Sequence, residues 1–149
     1  MDRKTLKQYL PLKREQEKLE KKIDDLYGRM EDVPVVAGKV TASMEEHPYI
    51  ETHVTVQMAE PREADTINRL IKINEARKGH VDKLLIEIEE FIADIPDSTN
   101  RQIFELTFLQ NKKQREISEI VGLERSVISK RITNYLNLHT KHKNNMVLL

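Results

Sequence analysis

The sequence predicts a mainly α protein: an N-terminal long helical hairpin or coiled coil with a possible small β-hairpin insert, followed by a C-terminal helix-turn-helix head. Three observations carry that expectation. Leu12 to Met30 and Ile67 to Ile95 place apolar residues at alternating steps of three and four, the period of a helix face. Residues 33–61 between them lose that period and alternate apolar with polar positions. After Pro96 the chain reads as short helices separated by Asn111 and Gly122, two residue types that tolerate a left-handed backbone.

Composition bounds the function classes. The chain has 149 residues, and 25 Lys and Arg cancel 25 Asp and Glu, so no global basic charge advertises a nucleic-acid partner. A local basic patch can still attract phosphate over a Debye length of about 8–10 Å. With 34% charged and only 5% aromatic residues, the composition suits an elongated helical protein with a thin core. Cysteine is absent, which excludes disulfides and thiolate metal sites and suits a cytoplasmic protein. No apolar run approaches the roughly 18 residues of a membrane span, and MDRKTLKQYL lacks the apolar core of a signal peptide. A soluble cytoplasmic chain with no membrane partner is expected.

Leu12, Gln16, Leu19, Ile23, Leu26 and Met30 form the seam of the first long helix, with charged residues on its outer faces. Pro11 belongs near its first turn, where a missing N–H costs nothing, and Gly28 with Asp32-Val33-Pro34 marks its end. In the next stretch Ile50, Thr52, Val54, Val56 and Met58 have the two-residue period of a half-buried strand. Val33 to Thr41 is a candidate partner strand, with Ala42 to Tyr49 as the connection; a long β-hairpin and a mobile loop both fit.

The second long helix is expected from about Arg62 to Asp94, entered through Pro61 and roughly 45–50 Å long. Its seam steps through Ile67, Leu70, Asn74, Arg77, Val81, Leu84, Ile88, Phe91 and Ile95. Ile71, Ile73, Leu85 and Ile86 widen the stripe, while Asn74 and Arg77 interrupt it near Gly79. The two stripes fit antiparallel packing within one chain or pairing across a dimer. The region 1–95 is therefore read as a helical and oligomerising part containing the 33–61 insert. Pro96 closes it, and Asp97 or Ser98 caps the first helix of a separate head over 97–138, with a tail over 139–149.

In the head, Ile103, Phe104, Leu106, Phe108 and Leu109 make the apolar face of a first helix, ended at Asn111. A second helix near Gln114 to Val121 is expected to bury Ile117, Ile120 and Val121, with small Ser118 at the helix crossing. Gly122 supplies the turn, Leu123 plugs it, and Ile128 with Ile132 anchors the third helix. Arg125, Ser126, Ser129, Lys130 and Thr133 then lie on that helix's outer surface. A helix of this kind enters the major groove with its N-terminal half against base edges. Arg and Lys suit guanine acceptors, and hydroxyls suit phosphates or either base type. Between residues 110 and 143 eight Lys and Arg face three Glu, so this region is basic although the chain is neutral. Double-stranded DNA is the expected partner, read by the helix 125–135.

The stretch FELTFLQNKKQREISEIVGLERSVISKRI resembles region four of bacterial sigma factors, with its apolar helix, short turn, and glycine turn before a reading helix. That resemblance implies contact with a promoter element and with RNA polymerase. By position it assigns Arg125, Ser126, Ser129 and Lys130 to DNA, and Arg131 to phosphate or to bracing the fold. Thr107 stands where the family usually has Arg, Lys113 where a capping Ser or Thr is common, and Ser118 where Ala is usual. The architecture as a whole resembles phage and prophage late-gene transcription regulators of the ArpU/RinA type. The expected DNA-binding set is thus Arg125, Ser126, Ser129, Lys130, Arg131 and Thr133, with Lys113 and Arg115 on the preceding helix.

Other readings stay open. The head could serve as a protein-interaction adaptor binding RNA polymerase or a sigma factor without DNA. A phage DNA-packaging small subunit also combines a DNA-binding helical domain with an oligomerising helix, although usually in the opposite order. His139 and His142 share a helix face but lack a carboxylate or thiol partner, so a phosphate-tracking or unstructured tail is expected and no metal. Asp24-Asp25, Glu45-Glu46 and Glu89-Glu90 fit solvated faces, and His47 and His53 have no evident ligand set. No phosphate loop, nucleophile elbow or zinc-hydrolase motif occurs, so neither catalysis nor a cofactor is expected.

Overall fold

Asp2 accepts the backbone N–H of Thr5 and starts a short helix, α1 (Arg3–Leu6). The computed structural model describes residues 1–43, 51–59 and 61–147, and these are mainly helical. The further elements are α2 (Tyr9–Glu31), β1 (Val35–Ser43), β2 (Glu51–Ala59), α3 (Pro61–Ala93), α4 (Ser98–Phe104), α5 (Gln114–Val121) and α6 (Arg125–Val147). A π-helical turn, Glu105–Leu109, comes directly after α4. Pro11 falls in the first turn of α2, and Pro61 opens α3. Among the described residues, no helix is long and apolar enough to cross a membrane.

The chain divides into two compact units, one formed by residues 1–18 with 78–149 and the other by residues 19–77. This differs from the division at Pro96 read from the sequence. The reason is visible in the first unit, where Phe91 of α3 meets Tyr135 of α6 at 6.0 Å and Phe104 of α4 at 6.4 Å between ring centroids. Residues 98–136 bury their apolar faces together with the second half of α3, rather than as a separate head.

The first unit has the larger core. Leu6, Tyr9 and Leu12 are buried there with Val81, Leu85, Ile88, Ile92 and Ile95, and with the apolar face of residues 103–136. Its first segment and α3 run antiparallel: Tyr9 donates to Glu89, and Gln16 Nε2 donates to Asp82 Oδ1 at 2.6 Å. Burial, and then the bond to Glu89, pushes the Tyr9 hydroxyl up to about 12. The Gln16 bond and then Lys78, 3.0 Å away, hold the Asp82 carboxyl below its usual value.

In the second unit Leu26, Val33, Ile67 and Ile71 form a buried cluster, flanked by Met30 and Leu70. Tyr27 donates to Glu75 at 2.6 Å outside it. Buried Asn74 turns its amide back onto the Leu70 carbonyl at 2.7 Å, so its donor is satisfied within its own helix. Strands β1 and β2 pair antiparallel from Val35 opposite Ala59 to Ser43 opposite Glu51. Most of the connection expected over Ala42 to Tyr49, and the side chains of the alternating strand residues, lie outside the described residues.

Two expectations about the α3 stripe need correction. Its buried line runs Ile67, Ile71, Asn74, Val81, Leu85, Ile88, Ile92, Ile95, with Leu70, Leu84 and Phe91 half-buried beside it. Apolar residues stand at both members of the pairs 70/71, 84/85 and 91/92, one helical step of about 100° apart, so periodicity cannot choose between them. Ile73 and Ile86, expected to widen the stripe, are 64% and 53% exposed.

Candidate nucleic-acid interface

The site is built from the end of α4 onward. Asp97 caps α4 by accepting the Asn100 N–H at 2.9 Å, so the cap is Asp97 rather than Ser98. The π-helical turn ends at Leu109, Asn111 follows with a left-handed φ of 50° as expected, and the chain re-enters helix at Gln114. Glu116 reaches back to accept the Lys113 backbone N–H at 3.3 Å, one half of a capping box. The other half requires a side-chain acceptor at Lys113, which an ammonium does not have.

Helix α5 ends at Gly122, with φ 72° and ψ 25°, its N–H donating to the Ser118 carbonyl at 2.9 Å. Ser118 donates its hydroxyl to the Leu123 carbonyl. Its role is therefore to tie the turn, beyond leaving room at a helix crossing. Ile117 and Ile128 are fully buried and Ile132 nearly so, which fixes α5 and α6 on the core. Ile120, expected inside, is 56% exposed, and Val121 is half-buried. Ile117, Ser118 and Val121 share the inner side of α5, and at about 100° per residue Ile120 lies on the other side of Ile117, away from them.

Helix α6 continues without interruption to Val147. The expectation of a tail from residue 139 is therefore corrected: His139 sits edge-on to Phe91 with ring centroids 4.8 Å apart. Burial, and then neighbouring positive charge including Lys143, holds the His139 imidazole below its usual value. Among the described residues no group of three or more His, Asp or Glu could hold a metal ion. Met146 is 79% exposed at the end of this helix, and Leu148 and Leu149 lie outside the described residues.

The expected DNA-binding residues fall into two sets. Arg125, Ser126 and Lys130 are exposed on α6, and Lys113 is exposed ahead of α5. The side chains of these four have no partner among the described residues. The rest are engaged. Ser129 accepts from Gln114 Nε2 at 3.3 Å, which links α6 to α5. Arg115 pairs with Glu119 at 3.7 Å on the open face of α5. Arg131, half-buried, donates to Asn100 Oδ1 at 3.0 Å and lies 3.4 Å from Asp97. Of the two roles the sequence left to Arg131, these contacts support bracing. Thr133 accepts from the Arg3 guanidinium at 3.0 Å. Sequence reasoning missed Arg3 because 130 residues separate it from Thr133.

The arrangement offers a helix carrying cations and hydroxyls on one side and buried isoleucines on the other, entered through a tight left-handed turn. Comparison with protein-family models, curated proteins and solved structures gives no match.

Proposed function

We propose that this protein is a sequence-specific transcription regulator of phage type that reads double-stranded DNA through a helix-turn-helix, α5 and α6, with the reading segment at residues 125–135. One observation carries the reading. Arg125, Ser126 and Lys130 stand exposed and unpartnered among the described residues at the start of α6. That is where base-edge contacts arise when such a helix enters the major groove. The basic balance of residues 110–143 supplies the phosphate attraction. Leu12, Leu19, Ile23 and Leu26 are already buried within one chain, so a dimer, which would favour half-sites about 34 Å apart or a multiple of that, would form through outer faces of the long helices of residues 1–95. RNA polymerase is the second partner this reading assigns, in a cytoplasmic, non-catalytic protein.

An adaptor binding polymerase or a sigma factor without DNA is the second reading. Binding of the purified protein to a library of fragments from its own genomic neighbourhood, at two salt concentrations, separates the two. Enrichment of one upstream fragment that survives the higher salt is expected. Binding that disappears with salt and prefers no fragment removes the promoter-reading proposal and leaves the adaptor.

A further inference from the structure

A cavity of about 370 Å³ opens in the first unit where the π-helical turn faces the start of α2. Leu10 and Phe108 line it with apolar surface, and Lys7 and Arg14 stand at its edge. No Asp or Glu lines it, and neither cation has an ion-pair partner among the described residues. Thr107 and Asn111 also line it. The Thr107 Oγ1 is buried and makes no hydrogen bond, the one such side-chain atom among the described residues. Native proteins rarely leave a buried hydroxyl unpaired, and π-helical turns recur where a backbone has been reshaped for a ligand.

We propose that this cavity binds a small organic anion, with a carboxylate or phosphate head between Lys7 and Arg14 and a compact apolar body against Leu10 and Phe108. The volume lies at the small end of ligand pockets, about 300–1,000 Å³, and suits a single ring. Arg14 and Lys7 give charge-assisted hydrogen bonds to the head, and Arg can do so through two parallel N–H groups. Because its oxygen is buried, the Thr107 hydroxyl reaches the bound head group only after rotation about its first torsion. This site is independent of the DNA-reading proposal, since none of the residues it uses belongs to the set assigned to DNA.

The test is an amide-resolved NMR titration of the full chain with phenyl phosphate, benzoate, inorganic phosphate and benzyl alcohol. Saturable shifts at Thr107, Phe108 and Asn111 with phenyl phosphate or benzoate are expected, and the tighter of the two identifies the head group. Arg14→Gln, at a helix-surface position where glutamine keeps the fold intact, should weaken that binding about tenfold. Thr107→Val should weaken it less. The proposal is overturned by an absence of saturable shifts, by equal binding of benzyl alcohol or inorganic phosphate, by unchanged affinity in Arg14→Gln, or by shifts produced only with duplex DNA.

Discussion

Gly122→Ala isolates what the turn between α5 and α6 demands of its backbone. The residue sits at φ 72° and ψ 25°, and a Cβ added there meets nothing within 4 Å. The cost is therefore conformational rather than steric. An L-residue in the left-handed region loses about 1–2 kcal/mol, and the lower entropy of an unfolded alanine returns about 0.4–1 kcal/mol. The net destabilisation is about 1 kcal/mol, or about 2–4 °C in Tm for a chain of this size. Gly122→Asn should cost less, because its short polar side chain tolerates this conformation. Gly28 and Gly79 supply an internal control: they lie inside α2 and α3, have ordinary backbone angles and have open space around them. Alanine at either should stabilise by about 0.5–1 kcal/mol, the opposite sign. Urea denaturation followed by circular dichroism measures all four variants. Equal effects at Gly122 and Gly79, or a loss at Gly122 above about 3 kcal/mol, would show that backbone handedness is not what the position requires.

Four further outcomes are expected. Lys130→Ala and Arg125→Ala should each weaken specific DNA binding by about 1–3 kcal/mol while leaving stability unchanged; an equal loss on scrambled DNA, in a fluorescence-anisotropy titration, demotes either to a phosphate contact. Arg131→Ala should instead cost about 1 kcal/mol of stability, since its partners Asp97 and Asn100 lie at an exposed cap; calorimetry with no change in Tm excludes the bracing role. Ile128→Asp, at a fully buried position, should unfold the packing of α6, and a native near-ultraviolet spectrum would contradict that. The lowered His139 value has a definite sign: the folded state resists the proton, so His139 contributes no pH slope well above 6.5 and costs stability as pH falls below it. His139→Phe keeps the ring against Phe91 and should flatten stability between about pH 7 and 5 relative to the natural chain; parallel slopes in denaturant titrations refute it.

What the sequence reveals depends on whether a feature is local. The left-handed positions at Asn111 and Gly122 are legible because few residue types occupy that region at low cost. The Asp97 cap and the ends of the long helices are legible for the same reason: proline and capping chemistry act within one turn. The buried side of α3 is less legible, since doubled apolar residues at 70/71, 84/85 and 91/92 fit two adjacent lines. The compact units are not legible at all from punctuation. Pro96 does end a helix, but the rings of Phe91, Phe104 and Tyr135 pack across it, and no local signal encodes a contact between residues 91 and 135. Within the candidate site the residue types were readable from the exposed face of one helix. Their engagement was not: Arg131 and Thr133 are held by Asn100 and Arg3, far away in the chain.

These remote contacts bear on how the proposed reader works. Three sets of contacts hold α6 along its length: Ile128 and Ile132 in the core, Arg131 to the α4 cap, and Tyr135 with His139 against Phe91. The Ser118 hydroxyl and the Gly122 backbone fix its entry. A helix constrained at its start, middle and second half presents Ser126 and Lys130 in one orientation before any partner arrives. Binding then avoids ordering the backbone of α6, while each exposed long side chain such as Lys130 still costs about 0.5–1.5 kcal/mol to immobilise. Thr133 stands apart from this set. Its hydroxyl already accepts from Arg3, so a phosphate near it must either displace that guanidinium or bond to it. Bonding to it is favoured electrostatically, because an exposed guanidinium gains a charge-assisted pair while Thr133 alone offers a neutral one. On the proposed reading, Arg3 extends the cationic surface of α6, and Thr133 acts chiefly by holding Arg3 in place.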